Sequence, residues 1–487
     1  MAMNDLDVLV VGAGPTGLAV ACGLLMQGVR VQVIDKAVAP ATTSRANFLH
    51  ARGSEVLDRL GALGDLPDRS VRAMSILTYL GDKPIMRIRF GDPGMHTAAP
   101  PMVISQAAVE GALRDRLAAL GGEIHWDTTL VGVHQESDAV TAVTDDGNAI
   151  EARWLIGCDG AASVARSAAD IDFPGVRLTE RFLLADLRIG WDLDRSGTTG
   201  WIHQDGMIGA MPMPDGLWRI IAYDPDAPTQ KPSQQEILAR LERIIPERTG
   251  RRAPIEHAEW LSMFSVHRRL AATYRRGRVL IAGDAAHTHA PFGGQGMLTG
   301  LGDAENLAFK LALVTAGRAD EKLLNTYEAE RRPLATEVLR GTSAVTKVNV
   351  AQSMIGRFIR DRVVVPVMNL PAVQRWVTYR TSQLWVTYRH GPLARRSLPS
   401  RGPRPGDRVP GLSGAELNGR WGLLGSDDDL AKIAIEHLGA DRVSVIDRRI
   451  DGDAMLVRPD GHLAWRGRRQ EALRQWLSRA LTTGTVR

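Results

Sequence analysis

The feature that most narrows what this chain can become lies near its start, where the apolar run Leu6 to Val11 feeds straight into Gly12-Ala13-Gly14-Pro15-Thr16-Gly17. A continuous run of that kind is the pattern of a parallel strand buried on both faces. Ala19 to Gln27 carries helix formers with Gly28 as a stop, and Val29 to Ile34 is a second apolar, β-branched strand ending in Asp35. Strand, glycine turn, helix, strand and acid, in that order, make a dinucleotide-binding unit. Gly12 allows the tight turn, Gly14 lets the backbone approach a pyrophosphate, and Gly17 lets the helix pack on the strand. The helix N-terminus then faces the anion. Asp35 stands about 20 residues after the glycines, where a carboxylate accepts hydrogen bonds from a ribose diol. The spacing alone also occurs in tight turns that bind nothing; the flanking elements carry the inference.

The nucleotide is longer than NAD. A nicotinamide dehydrogenase would continue with further βα repeats, whereas here Ser44-Arg45-Ala46 and Leu49-His50-Ala51-Arg52 follow. Far downstream, the apolar strand around Val279 to Ile281 ends in Gly283-Asp284 and delivers a carboxylate to its C-terminal edge. Pro291-Phe292-Gly293-Gly294-Gln295-Gly296-Met297 then opens a helix expected to run through Asp303 to Leu313. Its first N–H groups and its dipole can meet a partial negative charge. A reduced flavin carries such a charge near N1 and O2. No second GxGxxG follows a predicted strand, so NADPH or NADH would bind transiently, without a domain of its own.

At these residues, and at Gly157-Cys158-Asp159-Gly160-Ala161-Ala162-Ser163 with Arg166 just after, the chain resembles the class A FAD-dependent aromatic hydroxylases. These are flavoprotein monooxygenases, and the likeness is strongest to the branch acting on polyketides and antibiotics such as rifamycins. The resemblance implies an α/β fold: a Rossmann-like FAD-binding domain, an antiparallel-sheet substrate domain as in the p-hydroxybenzoate hydroxylase (PHBH-like) fold, and a C-terminal thioredoxin-like domain. For the flavin it implies Gly12, Gly14, Thr16, Gly17, Asp35, Lys36, Arg45, Gln106, Leu130, Asp159, Asp284, Gly294, Gly296, Met297 and Leu298. Asp284 would hold the ribityl chain. Arg45 and Pro291 are the catalytic candidates, Arg45 as the residue that gates flavin movement between solvent-facing and buried positions. Leu323 to Pro333, with Tyr327, Glu330 and Arg331, is similar to the helix that closes the family's catalytic region. The chain departs from the family at Asp35, where Glu is common, and at Leu298, Gly302-Asp303 and Phe309, where Asn, Gln-Asp and Trp are frequent; these changes are expected to adjust packing beside the flavin.

The implied chemistry is that NAD(P)H reduces FAD, O2 adds at flavin C4a, and the hydroperoxide hydroxylates an electron-rich carbon of an aromatic or polyketide-type small molecule. The cofactor carries the difficult step. Two alternatives stay open on the same fold: Baeyer–Villiger insertion, and a non-catalytic FAD-binding protein that sequesters a drug or metabolite. Flavin-dependent halogenation would need a W-x-W-x-I-P segment, which is absent.

The expected domains are 1–178 and 276–345 for FAD, 179–275 for the substrate sheet, 346–400 as a helical cover, and 401–487 as the thioredoxin-like unit. Phe182 to Ile189, Trp201 to Met211 and Trp218 to Tyr223 read as strands, the last two separated by the turn Pro214-Asp215-Gly216. His50, Trp201, His203, Met211, Met213, Phe264 and Phe292 are pocket candidates, and since alternate strand residues face opposite ways, at most half of the strand residues can point at a ligand. Leu334 to about Leu398 reads as helical and repeats Trp-Val-Thr-Tyr-Arg at Trp376 and Trp385. Leu456 to Arg466 resembles the end of a thioredoxin-like domain without its redox cysteines, which suits a structural role or association into a homodimer.

Composition excludes other classes. With 487 residues, 44% hydrophobic, the chain is long enough for several cored domains. A net charge of +5 over that length does not make a nucleic-acid footprint. Cys22 and Cys158 form no C-x-x-C, which fits a reducing compartment. No apolar run approaches the roughly 20 residues of a membrane span, and no signal-type segment opens the chain, so a cytoplasmic protein is expected. His287 and His289 have no partners at metal-ligand spacing, and no metal is expected.

Overall fold

The computed structural model describes residues 6–42, 46–71, 75–89, 96–230, 232–288, 294–349, 358, 360–395, 402–448 and 452–486. Arg45, Pro291, Phe292 and His289 therefore lie outside the described residues.

The glycine turn joins Val8–Val11 to the helix Pro15–Leu25, as its sequence requires, and Val31–Ile34 returns beside the first strand in parallel. These strands sit in a six-stranded sheet with Trp154–Gly157 and Val279–Ile281 on one side, Ile124–His125 on the other and Arg275–Arg276 at the edge. Val8, Leu9, Val10, Leu155, Ile156, Leu280 and Ile281 are all fully buried, the two-sided burial that their unbroken apolar runs foretell. The helix Pro15–Leu25 crosses the helix Gly296–Thr315 so closely that a Cβ on Gly23 would fall 2.8 Å from Ala308 Cβ.

A second sheet of eight strands orders as His287–Thr288, Ile255–Leu270, Gly175–Ile189, Trp218–Tyr223, Gly206–Pro212, Thr198–His203, Ser75–Leu80 and Lys83–Arg89. Two expectations are corrected here. The sheet is mixed rather than wholly antiparallel, because Thr198–His203 pairs in parallel with Ser75–Leu80. Trp201 to Met211 is a hairpin and not one strand, broken where Gly206 takes φ +125. The helix Gln234–Thr249, opened by a capping box of Ser233 and Glu236, covers one face of the sheet. Ile237, Leu241, Ile244 and Ile245 bury there against Leu183, Ala185, Leu187, Ile208, Ala210 and Ile220.

The C-terminal unit runs strand, helix, strand, strand, strand, helix. Its four-stranded sheet places Trp421–Leu424 between Val443–Ile446, parallel, and Ala454–Val457, antiparallel, with Leu463–Gly467 outermost. That is thioredoxin-like topology. Its core is continuous with the core of the FAD half: Phe309 meets Trp421 edge-on, centroids 5.4 Å apart, and Trp476 joins them. Burying a Phe-sized side chain contributes roughly 1.5–3 kcal/mol.

The stretch expected to be helical throughout is not. Its first Trp-Val-Thr-Tyr-Arg copy lies in the helix Pro371–Thr381, but the chain leaves the helix at Gln383, φ +55, and the second copy is an irregular segment bridging to Asp407. The two copies bury opposite amounts: Trp376 and Tyr379 are 60% and 44% exposed, whereas Val386 and Tyr388 are buried. Among the described residues, no helix is long and apolar enough to cross a membrane.

Candidate functional site

Three motifs far apart in sequence arrive side by side. Val8–Val11, Trp154–Gly157 and Val279–Ile281 are adjacent parallel strands, so the turns beginning at Gly12, Cys158 and Ala282 leave the same edge of one sheet. Cys158 donates its N–H to Val11 O at 2.7 Å, and Ala282 to Gly157 O at 3.0 Å, which continues the ladder into the turns.

The glycines of the first turn differ in what they face. Gly12 takes φ +105, and a Cβ there would fall 2.5 Å from Cys158 O; one on Gly17 would fall 1.9 Å from Gly12 O. Gly14 has φ −75, and a Cβ there would meet nothing within 4 Å. The protein's own packing demands the outer two glycines. At Gly14 the backbone instead borders open space at the N-terminus of an 11-residue helix, the cradle a pyrophosphate fits. Asp35 reaches back to this turn: Oδ2 accepts from Ala13 N–H at 2.6 Å and Oδ1 from Ala37 N–H at 2.8 Å. Each oxygen keeps a lone pair for a ribose hydroxyl. The shorter acid thus sets the turn itself. Lys36 is exposed beside it.

Asp159 Oδ2 accepts from Val164 and Ala165 N–H, while its Oδ1 is buried and unpartnered. Arg166 donates to Ala161 O and to Ala285 O, 3.0 Å each, and so stitches this turn to the next. Asp284, in the one-turn helix Gly283–Ala285, is exposed at the end of its strand. Thr16 fills the space between two glycines: a Cβ on Gly283 or on Gly300 would lie 2.6 or 2.2 Å from Thr16 Oγ1. Beneath them Asp303 is fully buried and accepts from Gly283 N–H at 3.1 Å, His287 Nε2 at 2.6 Å and Arg331 Nε at 2.7 Å. Burial pushes the Asp303 carboxyl up, but His287 and Arg331 hold it below the ordinary value. His287 is therefore an anchor of the Gly-Asp turn.

Gly294, φ +60, lies against Phe48 and His50: a Cβ there would be 3.1 Å from Phe48 Cβ and 3.7 Å from His50 Nε2. Gly296 opens the helix Gly296–Thr315, in which Met297 and Leu298 are buried. Leu298 packs under the helix Ala51–Leu60, which begins directly after His50. Gln106 spends its amide on Glu110 at 2.7 Å, one helical turn away, and Leu130 is a core residue at the start of a three-stranded sheet.

The sheet's other face, away from the helix Gln234–Thr249, approaches Phe48. Asn47 Nδ2 lies 3.5 Å from Met211 Sδ and 3.4 Å from Met213 Sδ. Phe48, Val103, Met213 and Leu217 pack together. Phe264 stacks on Phe182 of that same face, centroids 5.6 Å apart. Trp201 is a correction: its register partner Ile208 and its burial put it in the cluster under the helix, on the wrong face for a ligand. His203, two residues on, shares that parity and is held by Asp205. Sequence reasoning missed Asn47 and Phe48, just before the expected His50, and the buried pair Asp186–Arg219, whose bonds of 2.7 and 2.6 Å lie in register with Met211.

The fold and this edge define a flavin-binding oxidoreductase, and comparisons place the family. A family model described as FAD binding domain matches residues 5–342, and one described as aromatic-ring hydroxylase, C-terminal, matches residues 407–483. The chain belongs to the FAD-dependent aromatic-ring hydroxylases and is a flavoprotein monooxygenase of that type. It is 33% identical to a rifampicin monooxygenase of Streptomyces venezuelae over 96% of this chain and 97% of that one. It is 32% identical to the 6-methylpretetramide 4-monooxygenase of Streptomyces rimosus, over 95% and 91%. The solved ternary complex of aklavinone-11 hydroxylase with FAD and aklavinone superposes with a TM-score of 0.79 at 25% identity, covering 99% of this chain and 100% of the other.

Proposed function

We propose that this protein hydroxylates a polycyclic aromatic or polyketide-type compound, with FAD as resident cofactor, NADPH or NADH as transient reductant and O2 as oxidant. The observation that carries the reading is the meeting of three motif turns on one sheet edge, with open space at Gly14 and an exposed Asp284 beside it. Gly14 and Asp35 would hold the pyrophosphate and ribose, Asp284 the ribityl chain, and the turn from Gly294 to Met297 the flavin ring. When bound, FAD would supply the redox chemistry by which O2 is activated and one of its oxygen atoms enters the substrate. The chain's own residues do the rest. The first turn of Gly296–Thr315 presents N–H groups to developing negative charge. Asn47, Phe48, Met211 and Met213 form an apolar wall with one amide that excludes water and orients the ring to be oxidised. Arg45 gates flavin movement, so Arg45→Ala should slow flavin reduction while FAD stays bound.

The test is stopped-flow reduction of the purified holoprotein by NADPH and by NADH, with and without a panel of polyketides and rifamycins. One ligand should accelerate reduction, with O2 consumed and a product heavier by one oxygen. A yellow protein that no ligand stimulates would instead make it a binding protein, and a lactone or ester product from a ketone would make it a Baeyer–Villiger enzyme.

A further inference from the structure

We propose that Gln383 is a positioning residue for the flavin: it keeps the N-terminal turn of the helix Gly296–Thr315 open as a set of free N–H donors. The inference rests on the reading that this turn meets the flavin, and deepens it. The first N–H groups of a helix have no intrahelical partner and are normally taken by a side chain at the N-cap. The N-cap here is Gln295, and its side chain makes no capping bond. Its Oε1 is engaged elsewhere, accepting from Gln383 Nε2 at 3.3 Å, while the same Nε2 donates to Thr299 Oγ1 at 2.8 Å. Thr299 in turn donates from Oγ1 to Gln295 O at 2.8 Å and accepts at its backbone oxygen from Arg331 at 2.9 Å. Gln383 thus holds the N-cap side-chain acceptor, Gln295 Oε1, that could fold back over the helix end.

The backbone of Gln383 is a second, independent observation. It sits at φ +55, a left-handed conformation that glycine adopts freely and that strains a residue bearing a side chain. The residue is 3% exposed, so the amide is not there for solvent. A turn that only had to leave the helix Pro371–Thr381 would be better served by glycine. The strain is retained for what the side chain does, the pattern expected where geometry serves a ligand.

The consequence is electrostatic. Free N–H groups at a helix start stabilise negative charge, and a reduced flavin is more negative at its pyrimidine edge than an oxidised one. Removing Gln383 lets Gln295 compete for those donors, so the reduced flavin should lose more binding than the oxidised flavin. The flavin potential then falls.

Gln383→Gly is the informative variant, because it relieves the left-handed backbone while it removes the side chain and its amide. In the flavin-free protein its melting temperature should equal or exceed that of the parent. With FAD restored, affinity followed by flavin fluorescence should weaken, and dye-equilibrated reduction should show a more negative potential. A tenfold preference lost by the reduced form corresponds to about 30 mV for a two-electron couple. Gln383→Asn, which tolerates the left-handed backbone but falls one methylene short, should show the same loss. Thr299→Val should be non-additive with Gln383→Gly, since both break one contact. Equal FAD affinity and unchanged potential in both Gln383 variants would overturn the proposal. A parent protein that takes up no FAD would overturn the underlying flavin reading instead, and the two failures are told apart by the parent alone.

Discussion

Gly14 and Gly17 look interchangeable as letters, yet the structure asks opposite things of them. A methyl group at Gly14 enters space that no protein atom occupies, on a backbone that any residue adopts; one at Gly17 collides with Gly12 O at 1.9 Å. Gly14→Ala should therefore leave the unfolding free energy of the flavin-free protein within about 0.5 kcal/mol, and should weaken FAD binding at least tenfold, about 1.4 kcal/mol. Gly17→Ala should destabilise the flavin-free protein by about 1–3 kcal/mol through overpacking. Urea unfolding of both apoproteins, beside a fluorescence titration with FAD, reads the contrast. Equal apoprotein losses in the two variants would contradict it. The motif and the separate tasks of its glycines were legible in the sequence because their logic is local; what closes on Gly12 was not, because that is Cys158, arriving from a strand 146 residues away.

At the scale of elements, parity and register decided what the sequence left open. Met211 and Trp201 are both large apolar residues on neighbouring strands, but Met211 falls on the face with Arg219 and Asp186, and Trp201 on the face with Ile208 and Ile220. The hairpin break at Gly206 sets that difference, and a reading of Trp201 to Met211 as one strand could not place it. The strands Ser75–Leu80 and Lys83–Arg89 were missed although their alternation and the Gly81-Asp82 turn were visible. Two helices are joined by Arg331, which spends its guanidinium on Asp303, Thr299 O and the Tyr388 hydroxyl at 2.7, 2.9 and 3.0 Å. A lysine has no planar fork to meet three acceptors in those directions. Arg331→Lys should cost about 3 kcal/mol of apoprotein stability and loosen FAD, the flavin loss arising because Asp303 holds Gly283. Unaltered urea midpoints and FAD affinity would refute that chain of contacts.

Across the whole molecule, buried charges bind the C-terminal unit to the FAD half. Arg458 reaches Glu330 with bonds of 2.8 and 2.9 Å, Lys310 adds another at 2.8 Å, and Arg408 and Arg52 both bond Glu55. Burial raises both carboxyls, but Arg458 and Lys310 bring Glu330 to about 2, and Arg52 and Arg408 bring Glu55 to about 2. In the unfolded chain each returns to 4.5. The unfolded state then binds more protons in acid, so this stabilisation is complete above pH 4.5 and is lost as pH falls from there toward 2. Acid unfolding followed by tryptophan fluorescence should fall steeply in that window, and Glu330→Gln, less stable at neutral pH, should show a shallower acid limb. An identical acid limb would show that Glu330 does not titrate with unfolding. Apart from Arg52–Glu55, three residues apart on one helix, these pairings are not legible in the sequence, since Glu330 and Arg458 stand 128 residues apart and nothing local marks them.

A further tie between these halves, made by the same Arg52, has a consequence for how the molecule is born. Arg52, which begins the helix behind His50, gives a bond of 2.9 Å to Asp460 O, 408 residues later. At roughly 5–20 residues per second, a ribosome needs about 20–80 s to make that stretch. Until then Arg52 waits for that partner, while the three cradle turns and the helix Gly296–Thr315 have already been made, so the last hydrogen bond of the helix behind His50 forms only in the finished polypeptide.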